Sequence, residues 1–322
     1  MRLSLEVKPF SFHLVRNLKT FRGIIKEKKG WLIKIKDNSE TCGWGEIAPF
    51  YPCNIKTYEK IFKALGNSPL RKDLEESILD GPGPLSFGIG SALAELDCLI
   101  GSNQSNRWLK APQSALLLPT DKSLVTQLDT WIKSLEKNHQ IMTFKWKVCN
   151  QEDHIERQLL HEILKRLPSN SRLRIDANSG WSREQANYWA NYFLDDPRLE
   201  WLEQPLSTKD YEGLLELSKQ IPVALDESLI ETPALKSHWK SWQIRHPALE
   251  GDPRILLKAL NNGIRNICIS TSFETGIGRR WINHLSALQH KSPTPTAPGL
   301  APGWRPKGSL FSNNPISVWE AV

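Results

Sequence analysis

Residues 171–206 read SRLRIDANSGWSREQANYWANYFLDDPRLEWLEQPL. A stretch with period-two alternation, RLRIDAN, gives way to SREQANYWANYFL, whose apolar residues recur at helical spacing, and then to a second short apolar stretch ended by Pro205. Strand, helix, strand in this order joins two parallel neighbours through a helical crossover. The same rhythm continues on both sides. SALLL leads to DKSLVTQLDTWIKSLEK, TFKWKV to EDHIERQLLHEILKRL, LEWLEQPL to KDYEGLLELSKQ, PVALDES to TPALKSHWK, SWQIRH to DPRILLKALNNG, and NICISTS to GIGRRWINHLSALQH. With the opening unit this makes seven βα units, which predicts an α/β fold built on a TIM-like barrel rather than an open sheet.

Upstream of residue 113 the pattern differs. LSLEVKPFSFHL and GWLIKIKD alternate like antiparallel strands, with the polar RNLKTFRGIIKEKKG between them expected as a loop. IKTYEKIFKAL and SFGIGSALAELDCLIG then carry apolar residues at helical spacing on either side of a GPGP break. The expected organisation is an α+β N-terminal domain over 1–110 and a (β/α) barrel over 111–295, followed by an irregular Pro- and Gly-rich tail over 296–322.

The 322-residue chain is 39% hydrophobic and 24% charged, the make-up of a soluble globular protein, and it holds no apolar run long enough to cross a bilayer. MRLSLEVKPF lacks the apolar block and cleavage site of a signal peptide, so a cytoplasmic protein starting at Met1 is expected. Cys42, Cys53, Cys98, Cys149 and Cys268 are scattered without CxxC spacing, which points to neither a disulfide framework nor a zinc site. The net charge of +7 is mixed with acids along the chain. That spread argues against nucleic acid and for a small anionic substrate.

In a barrel of this kind the active site forms at the carboxyl ends of the strands, so charges late in a strand are candidates by position. Leu173, Ile175 and Ala177 form one face of their strand, leaving Arg174, Asp176 and Asn178 on the other. Glu203 closes the next strand and Asp226 the one after it. Each acid could simply cap the helix that follows, but carboxylates ending three successive strands would repel one another without a cation between them. Oxygen ligands without His or Cys suit a hard ion, Mg²⁺ first. On the preceding strand Lys145 and Lys147 share a face, opposite Phe144, Trp146 and Val148. Each lysine's ammonium neighbour and the cation would push its pKa down and make a usable base. Metal and base together suit removal of a proton next to a carboxylate.

KWK at 145–147, DAN at 176–178, EWLEQPL at 200–206 and ALDESL at 224–229, preceded by GWGEIAP at 43–49, resemble the enolase superfamily and, within it, the o-succinylbenzoate synthase family. The resemblance covers nearly the whole chain. It implies a (β/α)7β barrel with an α+β N-terminal capping domain, which the C-terminal tail 296–322 joins. It further implies Mg²⁺ held by Asp176, Glu203 and Asp226, Lys147 as base, Lys145 as its electrostatic partner, and a small dicarboxylate substrate dehydrated on the way to menaquinone or phylloquinone. Asn178 falls among the residues expected at the substrate. LKTFRG at 18–23, with Thr20, falls where the family's capping loop closes; Ser270, Thr271, Ser272 and Gly299 fall where it binds the succinyl carboxylate through backbone amides.

One departure concerns the sixth strand, where the family has a lysine before a proline and this chain reads WQIRHPALEGDP. Alternation that turns Trp242 and Ile244 outward brings Arg245 inward, whereas aligning the proline favours His246. Arginine stays protonated and is a poor second base, which disfavours a racemase or dipeptide epimerase; an inward His246 would restore that alternative. A barrel that lost activity and survives as a binding protein is the remaining reading.

Overall fold

The computed structural model describes residues 1–20, 23–50, 55–101, 107–135 and 141–322. The chain divides into two compact units, one made of residues 1–112, 245–265 and 269–322, the other of residues 113–244 and 266–268. Among the described residues no helix is long and apolar enough to cross a membrane.

The first unit begins with an antiparallel sheet of β1 (Ser4–Thr20), β2 (Gly23–Lys36) and β3 (Cys42–Ile47), followed by α1 (Ile55–Leu65), α2 (Arg71–Asp80) and α3 (Gly83–Leu96). The stretch expected as a loop is strand instead: β1 and β2 pair as far as Thr20 and Gly23, with a register shift between His13 and Leu18. Its polarity reports a partly solvated hairpin, in which Ile24 and Lys26 are exposed while Ile25 and Lys28 are buried. GPGP separates α2 from α3, with Gly81 and Pro82 outside both helices. Pro84 lies in the first turn of α3, where its missing N–H costs nothing. The two glycines of GWGE let β3 lie directly on α3: a Cβ at Gly43 would stand 1.9 Å from the Ala92 carbonyl oxygen, and one at Gly45 2.0 Å from that of Gly88.

The second rhythm is the parallel sheet. Its strands and helices alternate as β4 (Leu116–Leu117), α4 (Leu124–Leu135), β5 (Thr143–Lys147), α5 (Asp153–Arg166), β6 (Arg172–Asp176), α6 (Arg183–Phe193), β7 (Leu199–Glu203), α7 (Tyr211–Ser218) and β8 (Val223–Leu225). Then come α8 (Glu227–Glu231), α9 (Leu235–His238), β9 (Trp242–Arg245), α10 (Pro247–Glu250), α11 (Pro253–Asn261), β10 (Ile267–Ile269), α12 (Gly276–Gln289) and α13 (Pro315–Trp319). The seven strands pair in chain order from β4 to β10, and a parallel bridge from Ser270 to Gly299 continues the series. This is the (β/α)7β barrel type, TIM-like, accompanied by an α+β N-terminal unit.

Strand parity divides the buried residues. Phe144, Trp146, Val148, Leu173, Ile175, Ala177, Leu202, Val223 and Leu225 pack with the outer helices in one core. Trp201, Ala224, Ile244 and Cys268 form a separate cluster on the opposite face. A bulge makes this possible on β7: Leu173 pairs with Leu199 but Arg174 with Trp201, so Glu200 is the extra residue and Leu199 and Leu202 can both face the helices.

Candidate active site

Lys145 and Lys147 share a face of β5 because Phe144 and Trp146 are claimed by the outer core. Pairing with β6 sets Lys147 beside Asp176, and pairing of β6 with β7 sets Asp176 beside Glu203. The lysine Nζ atoms reach across. That of Lys145 lies 2.9 Å from Asp176 Oδ2 and 2.5 Å from Glu203 Oε1, and that of Lys147 lies 3.1 Å from Asp176 Oδ2. Lys147 also donates to Asn178 Oδ1 at 2.8 Å, while Asn178 Nδ2 donates to Glu227 Oε1 at 2.9 Å. Asn178 sits in left-handed backbone at φ 45°, which asparagine tolerates better than most residues. Its amide is thus held from both sides, orienting the lysine.

Deeper on the same face, Arg174 is paired to Glu200 at 2.6 Å and stacked 4.1 Å over the Trp201 ring. It is a buried guanidinium whose charge is met by Glu200 and, at longer range, by Glu203.

Burial would lower the Lys145 pKa, yet Asp176, Glu203 and Asp226 together outweigh it and raise the group above its ordinary value. The expected lowering was for a site holding a cation; in the chain by itself the three carboxylates outweigh both burial and the ammonium neighbour. Asp176 is held well below the usual carboxylate range, because Lys145 and Lys147 overcome its burial. Glu203 goes the other way. Burial raises it, Asp176 and Asp226 add repulsion, and Lys145 does not compensate.

That imbalance bears on a metal. Among the described residues no three His, Cys, Asp or Glu side chains already form a metal cage. The donor set nonetheless suits a hard cation: all its ligands are oxygens, Glu203 is undercompensated, and the neighbouring Glu227 Oε2 is buried without a hydrogen-bond partner. Nor is Asp226 used up as a cap. It stands at the N-cap of α8, but its side chain makes no capping hydrogen bond.

The sixth strand corrects the parity expectation. Ile244 packs with Trp201, Ala224 and Cys268, and Trp242 joins them, so these residues face inward and Gln243 outward, where its Nε2 donates to the Lys236 and Trp239 carbonyls. Arg245 shares the outward parity and is ion-paired to Glu250 at 2.5 Å. His246 is buried just beyond the end of the strand, at the N-cap of α10. Its Nδ1 lies 3.2 Å from the Thr271 carbonyl oxygen, and a proton on Nδ1 leaves Nε2 as the basic nitrogen.

A second correction concerns the carboxylate-binding loop. The Ser270 amide donates to the Arg245 carbonyl at 2.8 Å, that of Thr271 to Gly299 at 3.0 Å, that of Ser272 to Glu274 at 2.6 Å, and that of Gly299 to Ile269 at 2.8 Å. All four serve the chain itself, since Arg245, Gly299, Glu274 and Ile269 already accept from them. Thr20 pairs through its backbone with Gly23, but its side chain, with Phe21 and Arg22, lies outside the described residues.

Sequence reasoning passed over Glu227, Gln204 and the buried Lys28. Lys28 Nζ donates to the Ser272 carbonyl at 2.7 Å, and burial pushes its pKa down to about 8 against the pull of Glu274 and Glu46. Lys28 was hidden in a polar run that reads as loop, and it shares its strand face with the exposed Ile24 and Lys26, so alternation would not have marked it as buried.

Residues 129–240 match the enolase C-terminal domain-like family. The chain is 28% identical over 281 residues to the o-succinylbenzoate synthase of Thermosynechococcus vestitus, covering 83% of this chain and 84% of that protein. It is also 28% identical over 291 residues to the one from Yersinia enterocolitica, covering 86% and 83%. Among solved structures, the o-succinylbenzoate synthase of Thermosynechococcus elongatus with Mg in the active site superposes with a TM-score of 0.81 at 24% identity, covering 99% of this chain and 100% of that one. The dipeptide epimerase of Enterococcus faecalis with Mg and L-Leu-L-Tyr gives 0.67 at 18% identity, covering 93% and 90%.

Proposed function

The chain belongs to the enolase superfamily, and from that premise we propose that it is an o-succinylbenzoate synthase, a lyase that dehydrates 2-succinyl-6-hydroxy-2,4-cyclohexadiene-1-carboxylate. The observation that carries the proposal is the pair of lysines on one face of β5, both in contact with Asp176. Likeness to synthases over more than four-fifths of their length supports the choice of reaction. Asp176, Glu203 and Asp226 would hold Mg²⁺. Bound there, the ion supplies positive charge against the negative charge that develops on the substrate carboxylate.

The chain's own part is proton movement. Lys147 removes the α proton as its free amine; the C–O bond breaks on the same side, and the proton held on Nζ passes to the departing hydroxide, so water leaves and the ring becomes aromatic. Asn178 holds Nζ of Lys147 in place through its amide oxygen. Lys145, ion-paired to Asp176 and Glu203, contributes positive charge beside the base. A cytoplasmic role in menaquinone or phylloquinone formation follows from this reading. The test is conversion of the cyclohexadiene carboxylate to o-succinylbenzoate by purified protein with Mg²⁺; absence of product under those conditions defeats it.

One observation favours a second reading, dipeptide epimerisation. His246, at the position that aligns with the family's lysine before the proline and with Nδ1 3.2 Å from the Thr271 carbonyl oxygen, is a residue type able to act as a second base. Solvent deuterium entering the α position from both enantiomers of a dipeptide, and lost from one of them in His246→Asn, would support it; no exchange with dipeptides rejects it.

A further inference from the structure

Arg279, near the start of α12, and Arg305, in the C-terminal tail, line one small cavity within the first unit. Phe12, Phe273 and Phe311 supply much of its remaining wall. Its volume is about 20 Å³, room for one water or one small ion and too little for an organic ligand. Among the described residues neither guanidinium makes an ion pair or a side-chain hydrogen bond, and Arg305 Nε is buried without a partner. The Phe311 ring lies 5.8 Å from Arg305, a contact with a π face that leaves the N–H groups unanswered. Glu274 also lines the cavity, but its Oε2 accepts from Thr271 Oγ1 and its Oε1 from the Ser272 amide, each at 2.6 Å. Its charge is shared as well, acting on both Lys28 and Arg279. Burial holds both arginines below the ordinary arginine pKa, and at Arg305 the charge of Arg279 adds to the lowering with no carboxylate against it. Arg16 brings a further cation to this region, over the Trp304 ring that lies 6.0 Å from Phe273.

We propose that Arg279 and Arg305 form a binding site for one chloride-sized anion, which ties the C-terminal tail to α12. An anion there accepts from N–H groups that the chain leaves without acceptors and offsets the repulsion between the two guanidiniums. A water fills the same space without relieving that repulsion. The site is independent of the proposed reaction, in which neither arginine takes part.

The experiment titrates the full chain with sodium chloride while sodium gluconate, whose anion is too large for the cavity, holds the ionic strength constant. Binding is read from broadening of the chloride NMR line and from the melting temperature. In the parent both are expected to change and then saturate, because an ion held only by the folded chain stabilises it. Arg305→Gln and Arg279→Gln are each expected to weaken chloride about tenfold or more, the loss of a charge-assisted hydrogen bond. Arg305→Lys, which keeps the charge and loses the planar fork, should fall between parent and Arg305→Gln, and it carries the test should the glutamine variants not fold. Lys72→Gln removes a charge from an exposed position on α2 and should bind chloride as the parent does. A parent that shows no saturable chloride effect overturns the proposal. So does an affinity that stays within about twofold of the parent in the arginine variants, or one that falls equally in Lys72→Gln, since the ion would then sit elsewhere or answer only to net charge.

Discussion

Lys147 and Asn178 are separate in the chain and one unit in space. The asparagine amide has its oxygen on the lysine and its nitrogen on Glu227, so it cannot flip without losing both bonds. Lys147→Ala removes the proposed base, and kcat is expected to fall by about 10²- to 10⁴-fold, the usual worth of a general base. Asn178→Leu keeps the amine and loses its anchor, so its kcat should fall less, about tenfold, with Mg²⁺ affinity little changed. Single-turnover rates on the same preparation check the order. Equal losses in the two variants would mean that Asn178 does more than orient. The motif DAN made Asn178 visible in the sequence, but its partner was not, because Glu227 follows a presumed ligand and looks like a second acid of the same turn.

At the scale of elements, strand parity was legible wherever one face is charged. Lys145 and Lys147, or Arg174 and Asp176, cannot face an apolar helix layer, so their apolar neighbours must. On β9 the rule failed. Both faces of that strand are buried, Trp242 and Ile244 on one side and Gln243 on the other, so apolar character alone does not choose the side. The bulge at Glu200 was equally hidden, since only pairing with β6 reveals the extra residue.

Packing between α3 and α12 carries a pH dependence of its own. Glu95 is buried against Arg280 at 2.9 Å; burial outweighs the arginine and pushes its carboxyl from 4.5 up to about 7. The folded pKa exceeds the unfolded one, so the folded state binds the extra proton. The contribution is therefore full below pH 4.5 and declines as pH rises to about 7. Glu95→Gln keeps a neutral side chain throughout and should flatten stability across that window. Denaturant midpoints at pH 5 and pH 7.5 measure it, and an unchanged slope would show that Glu95 is charged in the fold throughout.

For the whole molecule, an ion that binds only the folded chain must stabilise it. At about one hundred times its Kd, Mg²⁺ is expected to add about 2.7 kcal/mol. The melting temperature should rise with Mg²⁺, return on chelation, and stay flat in Asp226→Ala. A rise that persists in that variant would place the ion elsewhere.

The alternation of short strands with helices, the three strand-end acids and the paired lysines were determined by the sequence itself. Such patterns depend on the local period of the chain and on the cost of burying charge, both of which can be read residue by residue. Tertiary structure alone decided that Arg245 pairs with Glu250, that the Ser270–Ser272 amides are already taken, and that the Ser228 amide donates to Gln204. Each of these depends on which hydrogen-bond partner a neighbouring strand brings within about 3 Å, and that proximity exists only once the strands have paired.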